Sequence, residues 1–153
     1  MAQFTLTKRI AAPPAAVFAV VADVERLPSR IPEIKSVELL TPGSVGVGTR
    51  IKETRVMFGK EASETFEVVE FDPGRRLTLV AVSCGAEYRC EHRFVPDAGG
   101  TVLELAIRTR ALTLFARLMT PLGWLMAGMM KKAIAKDLDA VARAAEGPLP
   151  QAA

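Results

Sequence analysis

Tyr88, Cys90 and His92 alternate with charged residues in EYRCEHRF, so a strand there aims all three side chains at one face. His92 is the only histidine of the chain, which excludes a histidine metal cluster or a histidine pair that exchanges protons. Alone it can polarise a ligand carbonyl or act as a base near neutral pH, or it can be hydrogen-bonded within the sheet. The Tyr88 hydroxyl can orient a polar group of a ligand held in an apolar wall. As a core residue it needs only one partner. Cys90 and His92 resemble a nucleophile and its base, yet a spacing of two on one strand holds them about 6–7 Å apart with no third group in view. A cysteine hydrolase is excluded.

A second set is charged. With Gly59-Lys60 as a two-residue turn, Met57 falls opposite Ala62, Arg55 opposite Glu64, Glu53 opposite Phe66 and Ile51 opposite Val68. Ile51, Met57, Phe66 and Val68 mark that face as the inner one, so Glu53, Arg55 and Glu64 point inward from an apolar wall. Buried charges must be paired, and such groups in a pocket carry perturbed pKa values and functional roles. Arg55 would then hold the carboxylate or enolate end of an apolar ligand. The alternative is a solvated salt bridge at the cavity mouth, because the turn is only two pairs away. Arg55, Tyr88 and His92 are the candidates for any catalysis.

The elements that position these groups follow from periodicity. Residues 3–11 alternate, with Phe4, Leu6 and Ile10 on one face, which predicts a half-buried strand. AAPPAAVFAVVADVERL starts a short helix, and Pro28 and Pro32 set off a second helical piece around Arg30–Ile34. From Lys35 to Thr109 the period is two, broken by TPGSVGVG, FGK, DPGRR, CGAE and PDAGG, which predicts six successive strands joined mostly by hairpins. With Gly85-Ala86 as a turn, the inner face carries Leu79, Ala81, Tyr88, Cys90, His92 and Phe94. The next strand adds Leu103, Leu105 and Ile107. Cys84 and Cys90 then face opposite sides and stay unpaired.

The last 35 residues read as one long helix with two characters. The second half, from Lys131, is amphipathic, with Met130, Ile134, Leu138 and Val141 on one stripe and Lys132, Lys136, Asp139 and Arg143 on the other. The first half is apolar all round: Leu114, Leu118, Leu122, Leu125 and Met129 form a stripe, with Phe115, Met119 and Met126 beside it. Pro121 predicts a kink there. Arg117, at a cost of roughly 2–3 kcal/mol in a bilayer, together with the amphipathic continuation, excludes a membrane span. The segment is expected to be a pocket lid and core, with Leu118, Leu122, Leu125, Met126 and Met129 lining the cavity. A dimer contact or a peripheral membrane surface is the alternative.

Composition sets the remaining bounds. The chain has 153 residues, half of them hydrophobic, with a net charge of +3. It fits a single domain over residues 1–146 with a flexible Gly-Pro-rich tail over 147–153. The basic residues alternate with acidic ones, and no basic run interleaved with aromatics speaks for nucleic acid. The N-terminus lacks the features of a secretory signal, so a cytoplasmic location is expected. No zinc spacing, P-loop or dinucleotide fingerprint occurs, and neither metal nor cofactor is expected.

The order of strand, two short helices, six-stranded meander and long helix is an α+β arrangement. Several segments resemble the polyketide cyclase/dehydrase branch of the START-like (SRPBCC) superfamily: IAAPPAAVFAVVADVERLPSRIPEIKSVEL, GVGTRIKET, FEVVEFDPGRRLTL, GGTVLEL and MKKAIAKDLDAVARAAE. The resemblance covers residues 3–146. It implies a helix-grip fold, in which a curved seven-stranded antiparallel sheet and two short helices surround the long C-terminal helix. It also implies an apolar cavity for a lipid, sterol, quinone or polyketide-like molecule. The expected function is binding or transport of such a hydrophobic small molecule by a monomer or homodimer. A polyketide cyclase/aromatase or dehydratase, or an interaction protein using the apolar helix face, are the alternatives.

Overall fold

A computed structural model describes residues 2–147 of the chain; most of the expected C-terminal tail, 148–153, lies outside the described residues. Strand β1 (Ala2–Ile10) leads into helix α1 (Pro14–Ala22), a 3-10 turn (Val24–Arg26) and helix α2 (Leu27–Arg30). Six strands follow: β2 (Ile34–Leu39), β3 (Arg50–Met57), β4 (Lys60–Asp72), β5 (Arg76–Ser83), β6 (Ala86–Asp97) and β7 (Gly100–Ala111). Helices α3 (Leu114–Leu118) and α4 (Thr120–Glu146) end the chain. All strands join one antiparallel sheet in the order β1-β7-β6-β5-β4-β3-β2, so the first strand lies beside the last. This is the helix-grip arrangement.

Two hairpins turn one residue earlier than their glycines suggest. The central residues are Phe58-Gly59 and Cys84-Gly85, all four with positive φ, as a two-residue type I′ turn requires. The register therefore slides by two residues. Because side chains alternate with period two, every inward residue stays inward while its partner across the ladder changes. Arg55 sits opposite Ala62 and Glu64 opposite Glu53, so the expected Arg55–Glu64 pair does not exist.

Two helical expectations also shift. The second short helix is Leu27–Arg30, with Pro28 in its first turn, and Ile34 already opens β2. The long helix is not kinked but interrupted at Met119, and Pro121 stands in the first turn of α4, where a missing N–H is harmless.

The closed core lies where α1 and the second half of α4 meet the sheet. Phe18 packs edge-on against Phe71 and Phe94, each with ring centroids 5.2 Å away. Ile10, Leu77 and Leu103 are fully buried around them, and Leu138 and Val141 close the helix side. Burial here rewards the alternation of β1, β6 and β7 and the amphipathic stripe of α4 together. Helix α4 runs along β1: the Lys131 ammonium lies 5.4 Å above the Phe4 ring, Lys8 pairs with Asp139 at 2.9 Å, and the Glu146 carboxylate accepts from the Ala11 N–H at 2.8 Å. A tight crossing fixes the bend between β1 and α1. The buried Thr101 hydroxyl donates to the Ala12 carbonyl at 2.7 Å, and a Cβ on Gly100 would stand 2.6 Å from the Ile10 carbonyl oxygen. Gly100→Ala is therefore expected to lose about 1–3 kcal/mol in urea unfolding, because backbone rather than a flexible side chain must yield.

Candidate functional site

The inner face of the sheet passes from sealed core to open wall along its length. Ile51, Ala81, Leu103 and Leu105 are buried, whereas Met57, Glu64, Phe66, Leu79, Tyr88, Cys90 and Ile107 keep part of their surface exposed. The first half of α4 likewise leaves Leu122, Met126 and Met129 exposed. The reason is geometric. Lys131 is level with Phe4, so at about 1.5 Å per residue the eleven residues before it reach about 16 Å further, past the start of β1. Helix α4 rests most closely on β1, α1 and α2 and reaches β3 through Asp137 and Arg55. The space between helix and sheet is thus an open groove rather than the closed cavity expected. Leu118 and Leu125 point largely into solvent.

At the edge of the groove lies a cluster of three charges, all largely buried. The Arg55 Nε donates to Glu53 Oε1 at 2.8 Å, and Arg55 Nη2 contacts Asp137 Oδ2 of α4 at 3.0 Å. Burial alone would lower the Arg55 pKa, but the two carboxylates overcome it and hold the guanidinium above its ordinary value. Asp137 is the perturbed partner. Burial, with Glu53 and Glu33 adding repulsion, outweighs the attraction of Arg55 and pushes its carboxyl up to about 6. Its Oδ1 is buried without a hydrogen-bond partner. With all three groups ionised the cluster carries one net negative charge; with Asp137 protonated it is neutral and gains an O–H donor.

The residues on β6 are quieter. Burial raises the Tyr88 hydroxyl, with Glu64 and Cys84 adding to it, so it stays a neutral donor. Burial lifts the Cys90 thiol to about 11, which removes it as a nucleophile. Cys84 and Cys90 are both free thiols. His92 faces the core end: its Nδ1 lies 3.2 Å from the Leu77 carbonyl on the neighbouring strand, and burial lowers its pKa to about 4. It is a neutral imidazole tied to the sheet.

Sequence reasoning assembled the wall but missed Asp137. The signal was present: Asp137 follows Ile134 by three and precedes Val141 by four, which puts a carboxylate on the apolar stripe of α4.

A family model described as polyketide cyclase / dehydrase and lipid transport matches residues 1–146. No curated protein matches the chain in sequence. Among solved structures, the ZhuI aromatase/cyclase from Streptomyces sp. R1128 superposes with a TM-score of 0.77 at 22% identity, over 95% of this chain and 93% of that one. Protein TTHA0849 from Thermus thermophilus superposes with a TM-score of 0.76 at 23% identity, over 94% and 97%. Norcoclaurine synthase from Thalictrum flavum, solved with dopamine and hydroxybenzaldehyde, superposes with a TM-score of 0.70 at 17% identity, over 93% and 84%. At these identities the structural likeness carries the fold alone, while the sequence match carries more: the chain belongs to the polyketide cyclase/dehydrase and lipid transport family.

Proposed function

We propose that this protein binds a neutral, carbonyl-bearing hydrophobic molecule, quinone-like or polyketide-like, in the groove between α4 and the inner sheet wall. The observation that carries the reading is two apolar surfaces left partly exposed: Phe66, Leu79 and Ile107 on the inner face of the sheet, and Leu122, Met126 and Met129 on the first half of α4. A ligand between them buries apolar area on two sides, at roughly 25 cal/mol per Å². The charge cluster selects the head group. Arg55 is already engaged by two carboxylates, so in either protonation state of Asp137 the cluster offers no net positive charge to an acidic ligand, whereas a neutral carbonyl head meets no repulsion.

The test is displacement of a fluorescent naphthalene probe. A prenylated naphthoquinone is expected to compete better than a fatty acid of similar size by roughly tenfold, about 1.4 kcal/mol. Ile107→Trp, which fills the groove, should weaken both. No displaceable probe, or a preference for the fatty acid, overturns the proposal.

One observation favours an enzyme over a carrier: the Asp137 carboxyl, raised to about 6 and with one oxygen unpartnered, is suited to taking a proton from carbon next to a carbonyl once ligand binding opens a path to that buried oxygen. The same binding experiment in heavy water separates the two. A carrier returns an enolisable polyketone without deuterium beyond the solvent background, and an enzyme returns it deuterated, with exchange abolished in Asp137→Asn.

A further inference from the structure

The end of the molecule at the groove mouth is not an ordinary solvated surface. Between Leu112 and Met129 ten large apolar side chains are exposed, among them Leu118 at 70%, Trp124 at 76% and Leu125 at 80%. Phe58, in the β3–β4 turn, is exposed as well. No charged side chain occurs from Pro121 to Met130 and the Trp124 indole is the one hydrogen-bonding group, so the apolar surface wraps the helix instead of forming one stripe. Closing α4 onto the sheet covers only part of it. Trp124 precedes Met126 by two residues, about 160° away around the helix, so Trp124 stays outside when Met126 faces the groove. The apolar patch therefore needs an occupant other than the groove ligand.

Charge identifies that occupant. From Ala111 to Lys136 there are four cations, Arg117, Lys131, Lys132 and Lys136, and no Asp or Glu. A symmetric contact through this segment would bring these cations against their own kind with no acid in the segment to meet them. An anionic lipid surface offers both halves of the complement: acyl chains for the apolar wrap and headgroups for the flanking Lys and Arg. Trp124 and Phe115 are suited to the boundary between them. No helix among the described residues is long and apolar enough to cross a membrane, so the segment lies on the bilayer. We infer that α3 and the first three turns of α4 dock this protein on an anionic bilayer surface, with the mouth of the groove turned to the lipid. The docking does not depend on what the groove holds.

Trp124 is the only tryptophan, so its emission reports the contact directly. The experiment is titration of the full chain with vesicles of phosphatidylcholine, with and without phosphatidylserine, read by co-sedimentation and by Trp emission. Binding and a blue shift are expected with phosphatidylserine, at least about tenfold stronger than without it and weakened by salt. Lys131→Glu with Lys132→Glu, and separately Leu125→Asp, should each reduce binding at least about tenfold. Unchanged circular dichroism of these surface variants separates lost docking from lost fold. Equal binding to both vesicles, no binding to either, or a blue shift without lipid that accompanies a dimeric mass overturns the inference, the last in favour of a second copy.

Discussion

Replacing Arg55 by methionine is expected to cost about 3–5 kcal/mol of folding stability at neutral pH, the range seen when one partner of a buried ion cluster is removed. Glu53 and Asp137 then face each other without their shared cation, and Asp137 already holds one buried oxygen with no partner. Both carboxylates must take up protons or draw water into the groove edge. The urea midpoint should fall with the slope unchanged, since the same surface is exposed on unfolding. Adding Asp137→Leu to Arg55→Met should recover a large part of the loss, because it removes one stranded charge and extends the apolar stripe of Ile134 and Val141. A loss below about 1 kcal/mol for Arg55→Met would mean that solvent already screens the cluster, as at an exposed ion pair. The double variant would then show no recovery, and the cluster would not select a ligand head group.

The strand faces were legible because a parity argument is robust. The turns at Phe58-Gly59 and Cys84-Gly85 lie one residue from where glycine placement suggested, and the register moved by two, which leaves inside and outside unchanged. Partners across the ladder had no such protection, so Arg55–Glu64 was lost. The turn positions escaped reading because Phe58 and Cys84 accept a left-handed conformation that residue preference assigns to Gly, Asn or Asp. Their cost is borne by thirteen- and twelve-residue strands that hold the hairpins closed. The apolar run from Leu114 to Met130 was legible as needing a partner, but not as exposed. Composition records that a helix is apolar all round, whereas its exposure depends on how far α4 extends beyond β1. Asp137 was missed for a related reason: attention went to the charged stripe of Lys132, Lys136, Asp139 and Arg143, while Asp137 lies at an apolar-stripe position between Ile134 and Val141. Lys8 shares the parity of Phe4, Leu6 and Ile10 and pairs with Asp139 at the rim of the helix–sheet contact.

The two perturbed groups, His92 on β6 and Asp137 on α4, should give opposite pH signatures, and their superposition hides both in the unaltered protein. His92 is lowered to about 4 from an ordinary 6.5, so the unfolded chain binds its proton first. Its contribution to stability is complete above pH 6.5 and is lost as the pH falls through 6.5 toward 4. Asp137 is raised from 3.8 to about 6, so the native protein binds its proton first. Its contribution is complete below pH 3.8 and is lost as the pH rises toward 6. Between pH 4 and 6 the two slopes oppose each other. His92→Gln should therefore become less stable relative to the unaltered protein as the pH rises through this window, by about 2–3 kcal/mol across it. Asp137→Asn should drift the other way by a similar amount. Glu91 and Asp139, both lowered, titrate in all three proteins and cancel in difference curves. The measurement is the urea midpoint at half-unit pH steps, with the single imidazole of His92 followed by NMR as an internal check. Parallel curves for all three proteins would show that neither group is held away from its ordinary pKa.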